Sequence, residues 1–384
     1  MNDDFKKNLY TVIFFLFLSI LFFYILIFSK IYFENQEKYD FLFESKESLK
    51  FHVKYSKKLH HLRDSQIRQW EIKNNPENFL FSIISEFSKN KKNILFQGDS
   101  WVEQISLEEK SLKKIKKFSK KNSYGIINAG TSSFSPSLMM LQYEILENDF
   151  NVKPSVVVAY IDQSDIGDEI CRYKEKRILD KNNKLIAVKN EEYSRAIYDY
   201  SIVYPMSEII LSNNNKIVKK IKLTNSFIKY KIFRLIKKIQ SLKKLGLKNV
   251  NNERCHFDQI MKYLIDINLN DKVYFENRLK DYLNFLKKKD YIKQIILVSF
   301  PHRNHKIAKK DKNFYSVNVS NIIDNILEEE VNRKTFHLNF SNLFENGKIK
   351  FNHNFYRVDD AASHLIERYH AEIFLKTIIE FIDQ

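Results

Sequence analysis

Residues Gly98-Asp99-Ser100 close a short apolar run, Asn93 to Phe96. That arrangement puts a serine hydroxyl at the carboxyl end of a predicted strand, and in an open parallel α/β sheet ligands bind at that edge. Gly98 lets the chain turn sharply, and a helix beginning there aims the positive end of its dipole at Ser100. The tripeptide is also an ordinary turn, so its chemistry depends on what the chain brings to the same edge. Three other segments carry capable groups. The run Gly125–Asn128 is followed by Ala-Gly-Thr-Ser-Ser-Phe-Ser-Pro, small residues that let a backbone N–H approach an anion closely. The run Ser155–Ile161 gives way to Asp162-Gln163-Ser164-Asp165-Ile-Gly-Asp168-Glu169, and near the C-terminus comes Asp359-Asp360-Ala-Ala-Ser-His364-Leu. Acyl transfer through a serine needs a nucleophile, a base, a group that orients the base, and donors for the developing oxyanion. The four segments hold residue types for each of these.

The elements that must position them are legible as apolar runs. Five read as strands: Asn93–Phe96, Gly125–Asn128, Ser155–Ile161, Gln294–Phe300 and Thr335–Phe340. Between the first two, Ile105, Leu112, Ile115 and Phe118 fall at helical spacing with lysines opposite, which predicts one helix over Glu103–Lys121. Further helices are expected over Ser137–Phe150, with Pro136 at its start, and over Val273–Lys289, Ser320–Val331 and Ser363–Ile382. Strands alternating with helices of this length predict an α/β fold, a flavodoxin-like three-layer sandwich around a parallel sheet. Residues from about 168 to 270 are too many for one crossover and read as a helical insertion.

Asn8 to Ser29 carries no charge and is rich in Phe, Ile and Leu, which is long enough to span a bilayer. No small-residue cleavage site follows, so residues 1–31 are expected to be an uncleaved anchor, residues 32–92 a juxtamembrane stalk and residues 93–384 the folded domain. The net charge is +17, yet Lys216 to Lys248 alone holds twelve Lys and Arg and no acid. Within it Ile228, Ile232, Leu235, Ile239 and Leu242 form an apolar stripe. That helix either packs its stripe on the domain or lies on an anionic membrane surface. No base-stacking motif accompanies the charge, so nucleic acid is not an expected partner. The chain has two cysteines, Cys171 and Cys255, too few for a disulfide framework but expected to pair in an oxidising compartment. The acids of 162–169 match no metal-ligand spacing, and no metal or other cofactor is expected.

Gly-Asp-Ser at the first strand, Asn-x-Gly after the second, a polar block after the third and Asp…His-Leu near the C-terminus resemble the SGNH (GDSL-type) hydrolase family. Its membrane-anchored members modify acetyl groups on bacterial polysaccharides. The resemblance spans roughly 93–166 and 294–382. It implies Ser100 as nucleophile, Gly130 N–H and Ser100 N–H as oxyanion donors, and His364 as general base. The family's third block reads Gly-x-Asn-Asp, whereas here Ser164 holds the Asn position, so Gln163 or Ser164 is left to supply that donor. The acid three residues before the histidine is replaced by Ala361, leaving Asp360, ahead of Asp359, to orient the imidazole. His302 and His305, in Pro301-His302-Arg-Asn-His305 after the fourth strand, either line the cleft, with one of them able to substitute as base, or are plain loop residues. The implied protein is an inner-membrane esterase or O-acyltransferase with a periplasmic domain and an acylated carbohydrate or small ester substrate. A non-catalytic assembly subunit of the same fold is the alternative.

Overall fold

In the computed structural model the described residues are 3–44, 46–63, 75–105, 109–189, 209–212, 215–244, 267–299, 318–329, 334–346 and 376–382. The long apolar runs become the five parallel strands of one six-stranded sheet. These are β2 (Lys92–Gln97), β3 (Tyr124–Asn128), β4 (Val156–Tyr160), β7 (Gln294–Ser299) and β8 (Thr335–Asn339), with β1 (Ser82–Ser85) added at one edge. The order is β1-β3-β2-β4-β7-β8. The five long strands are parallel in the flavodoxin-like order, and β1 pairs antiparallel with β3. β3 and β4 are buried throughout, as a parallel sheet covered on both faces requires.

β1 lies inside the stretch read from the sequence as a stalk. It is four residues long with Ile83 more than half exposed, so it carries little apolar signal. The helix expected over Glu103–Lys121 is instead two, α4 (Ser100–Ile105) and α5 (Glu109–Asn122). Ile105 of α4 and Ile115 of α5 are buried in one apolar cluster with Ile94, Phe96 and Ile126, and Leu112 and Phe118 pack against it. α6 (Pro136–Phe150) starts at the expected proline and ends on Asn151, whose left-handed φ of 53° closes the helix. α8 (Leu269–Lys287) and α9 (Val319–Glu328) complete the layers, each capped by an asparagine, Asn268 and Asn318. A short helix α10 (Phe340–Glu345) follows β8, and residues 376–382 are helical. The start of the insertion holds an unforeseen hairpin, β5 (Arg177–Leu179) with β6 (Leu185–Val188), turned by Asp180 and Asn183.

The chain divides into two compact units. The sheet unit comprises Lys54–Glu71, Glu77–Ser194 and Glu253–Gln384. The other comprises Met1–Val53, Ile72–Pro76 and Arg195–Asn252. In the latter, α1 (Asp3–Glu34) is long and apolar enough to cross a membrane. Every residue from Leu9 to Ile27 is exposed, a stretch of about 28 Å at helical rise, close to a bilayer core. After α1 come α2 (Gln36–Glu44) and α3 (Lys46–Ser56). The basic helix α7 (Lys216–Lys244) packs on α1, with Tyr24 donating to Asn225 Oδ1 at 2.5 Å. Its Lys216 and Lys220 meet Asp40 at 3.1 Å. Leu223 and Ile228 are buried, whereas Ile217, Ile221 and Ile232 are exposed. The side chains of Leu235, Ile239 and Leu242 lie outside the described set.

Candidate functional site

Ser100 is the first residue of α4, delivered to the carboxyl end of β2 by Gly98 at φ +149°. A Cβ at Gly98 would come within 2.8 Å of Val102 Cγ2 and 2.9 Å of Tyr160 Cβ. Glycine is therefore required twice, for its dihedral and for the space. Asp99 accepts from Trp101 N–H at 2.9 Å, fixing the helix start, and Trp101 stacks on Tyr160 of β4 at 5.3 Å. Gly98→Ala is expected to cost roughly 2–4 kcal/mol from positive φ and overpacking together. A shift in urea midpoint of that size checks it, and an unchanged midpoint would refute the reading.

The loop after β3 comes to the same place. Thr131 N–H donates to Gly98 O at 2.9 Å, and a Cβ at Gly130 would lie 2.3 Å from Glu103 N. Gly130 is thus pressed against the α4 backbone. Its N–H donates to Asn128 Oδ1 at 2.9 Å, while Asn128 Nδ2 donates to Val102 O at 2.7 Å. Glu103, 1% exposed, accepts from Ser132 N–H at 2.9 Å and lies 3.7 Å from the Arg63 guanidinium. Arg63 in turn donates to Ser82 Oγ and to Asn128 O. On the loop's other side His61 Nε2 donates to Ser132 O at 2.5 Å, and the tautomer this fixes lets His60 Nδ1 donate to His61 Nδ1 at 3.0 Å. Tyr173 donates to Ser133 O.

Burial pushes both histidines down, His61 to about 4. A depressed histidine stabilises the fold above its unfolded value near 6.5 and withdraws that stability as pH falls through its folded value. His61 therefore contributes about 3 kcal/mol at pH 7 that is lost by about pH 4. Urea midpoints of wild type and His61→Gln at pH 7 and pH 4.5 test this. The acid loss should be clearly smaller in the variant, and equal losses would exclude His61 as its source.

Beyond β4 the chain turns on itself. Asp162 Oδ2 accepts from Ser164 N–H at 3.0 Å and from Ser164 Oγ at 2.5 Å, and Asp165 Oδ2 accepts from Asp162 N–H. Gln163 Oε1 accepts from Val319 N–H at 2.9 Å, joining this block to the start of α9. A π-helical turn, Asp168–Tyr173, follows. Its Glu169 accepts from Ser135, Ser137 Oγ and Ser137 N–H at the start of α6. Its Asp168 meets Arg172 at 2.8 Å. Asp99, Asp162, Asp165 and Asp168 are all buried. Burial and mutual repulsion raise Asp99 and Asp165 well above the usual carboxylate range, and burial raises Asp168 to about 6. Among the described residues no three His, Cys, Asp or Glu side chains are grouped to hold a metal ion.

Of the residues singled out from sequence, Ser100 and Gly130 sit on adjoining turns, and Gln163 and Ser164 lie at the end of the neighbouring strand. His364, Asp360, Asp359 and His302 lie outside the described residues. Sequence reasoning missed Arg63, His60, His61 and Glu103 as supports of the β3 loop. Apart from the paired histidines, no sequence pattern marks residues 60–63, because their partners are 19 to 71 positions away. Cys171 is disulfide-bonded, and Cys255 lies outside the described residues.

No family model and no curated protein matches this sequence. Two solved structures are similar in part. One is a catalytic mutant of Axe2, an acetylxylan esterase from Geobacillus stearothermophilus, at 12% identity and TM-score 0.35 over 76% of this chain and 95% of that one. The other is the acetyl xylan esterase Est2A from the rumen bacterium Butyrivibrio proteoclasticus, at 9% identity and TM-score 0.32 over 77% of this chain and 65% of that one. Scores this low transfer neither neighbour's chemistry.

Proposed function

We propose that this chain is a membrane-anchored serine esterase or O-acyltransferase acting on acetyl esters of a surface polysaccharide. The supporting observation is the presentation of Ser100. A glycine that tolerates no side chain sets it at the first turn of α4, at the carboxyl edge of a parallel sheet, between two strand-end loops. Ser100 attacks the acyl carbonyl, His364 takes its proton, and Asp360 orients the imidazole. The acyl group then passes to water or to a sugar hydroxyl. The long apolar α1 supports anchoring, and the disulfide at Cys171 supports an oxidising compartment for the domain.

A second reading, a non-catalytic subunit of the same fold, is favoured by two hydrogen bonds. Gly130 N–H is committed to Asn128 and the Ser164 hydroxyl to Asp162, so neither is turned outward as an oxyanion donor. Labelling of the full-length protein with a fluorophosphonate probe separates the readings. Modification of Ser100 supports the enzyme, and an unmodified Ser100 supports the subunit. In the enzyme reading, Gln163 keeps its carbonyl on α9 and offers its amide nitrogen to the oxyanion. Gln163→Ala should then lower turnover by about 10²-fold with little change in KM, because the interaction strengthens only in the transition state. A rise in KM alone would reassign Gln163 to ground-state binding.

A further inference from the structure

A second serine lies in hydrogen-bonded series with a histidine and an aspartate, at a place the proposed function does not use. Ser299 ends β7, and His337 lies on β8 opposite Leu297. Residues two apart on a strand share a face, so Ser299 and His337 project from the same side of the sheet. α9 packs against both strands. Its Ser320 and Asp324 are one turn apart and so project together. The distances are Ser299 Oγ to His337 Nε2 2.7 Å, His337 Nδ1 to Asp324 Oδ1 2.6 Å, and Ser299 Oγ to Ser320 Oγ 2.8 Å.

The directions of these bonds follow from chemistry. An ionised Asp324 only accepts, so His337 Nδ1 carries the ring proton and Nε2 presents its lone pair. Ser299 must then donate to Nε2, and Ser320 to Ser299. This is the order of groups that activates a serine for acyl transfer, with the nucleophile's proton already aimed at a base held by a carboxylate. Burial holds His337 below the usual histidine value against the opposing pull of Asp324. The ring is therefore neutral at neutral pH, the state a general base requires.

We propose that Ser299, His337 and Asp324 form a second nucleophilic serine centre, one that takes small acyl esters of about acetyl size. The size limit comes from burial, since Ser299 is 1% exposed and the His337 side chain 6%. A bulky glycan does not reach a serine this deeply buried. In the reaction Ser299 Oγ bonds to the carbonyl carbon and its proton moves to His337 Nε2. The bond to the alcohol breaks, and the departing alkoxide takes that proton. Water repeats the sequence on the acyl-serine, releasing the carboxylic acid and restoring Ser299.

A network that merely fastens α9 to β8 would have the same distances but no reactivity, and reactivity is what the test reads. Full-length protein carrying Ser100→Ala is treated with diisopropyl fluorophosphate, and the modified serine is located by peptide mass. Modification of Ser299 is expected, with fluoride leaving as the Ser299 oxygen bonds to phosphorus. His337→Gln should slow it by about 10³-fold, and Asp324→Asn by about 10²-fold through loss of the correct tautomer. Thermal melts of the same variants confirm that they are folded. An unmodified Ser299 in folded Ser100→Ala protein would overturn the proposal, as would modification at an unchanged rate in folded His337→Gln. Modification of wild-type protein at Ser100 alone would overturn it while sustaining the proposed function.

Discussion

Ser100→Ala is expected to reduce deacetylation of an O-acetylated oligosaccharide by about 10⁴- to 10⁶-fold while leaving the thermal midpoint almost unchanged. The size of the loss follows from what remains. Without the hydroxyl no acyl-enzyme forms, and only binding and any oxyanion donors still assist direct attack by water. Stability should hold because the truncation removes one hydroxyl at the first turn of α4, not apolar packing from the core. Choice of substrate matters. A small ester such as p-nitrophenyl acetate also reports on Ser299, and an oligosaccharide does not. His364→Ala should match the loss within the same assay, because a nucleophile and its base act as a unit. Turnover within tenfold of wild type in Ser100→Ala would remove Ser100 from the chemistry. A wild-type protein that deacetylates nothing and takes up no probe would leave the non-catalytic reading.

Much of the scaffold beneath that prediction is legible in the sequence, for an identifiable reason. β2, β3, β4 and β7 are buried on both faces, so their sequences are continuous runs rich in Ile, Val, Leu and Phe. Alternation with helices then dictates the parallel order, and the polar segments fall at the carboxyl edge because the strands end there. What escaped is whatever depends on distant partners. β1 is two isoleucines between serines, and only its pairing with β3 makes it a strand. α4 and α5 share one apolar periodicity, so the sequence does not mark where the first helix ends. The series Ser299–His337–Asp324 joins β7, β8 and α9, with no motif in any of them. Charge misleads in the same way. Two basic residues of α7, Lys216 and Lys220, are spent on Asp40, which lies 176 and 180 positions earlier in the chain.

Arg63→Ala should be among the most destabilising single changes in the sheet unit, at about 3–5 kcal/mol. Arg63 and Glu103 are 2% and 1% exposed, so neither charge is answered by water. The guanidinium binds Ser82 of β1 and the carbonyl of Asn128 at the end of β3. The carboxylate holds the β3 loop through Ser132 N–H. Removing the arginine leaves Glu103 buried and negative, close enough to Asp99 to raise its proton affinity further. The loss is therefore that of a buried charge deprived of its ion-pair partner Arg63, larger than the worth of the ion pair itself. Glu103→Gln tests this account. Its amide oxygen still accepts from Ser132 N–H, but Arg63 loses its counter-charge, so a cost of about 2–3 kcal/mol is expected. The double variant Arg63→Ala, Glu103→Gln should cost less than the sum of the two, since the second change neutralises the charge that the first exposes. Urea unfolding of the three proteins supplies the cycle. Additive costs would mean that the residues act independently and that the ion pair is incidental. Glu103 sits one turn after Ser100 on α4, so a coupled pair should also appear at the site, with fluorophosphonate labelling of Ser100 slowed in Arg63→Ala and partly restored in the double variant.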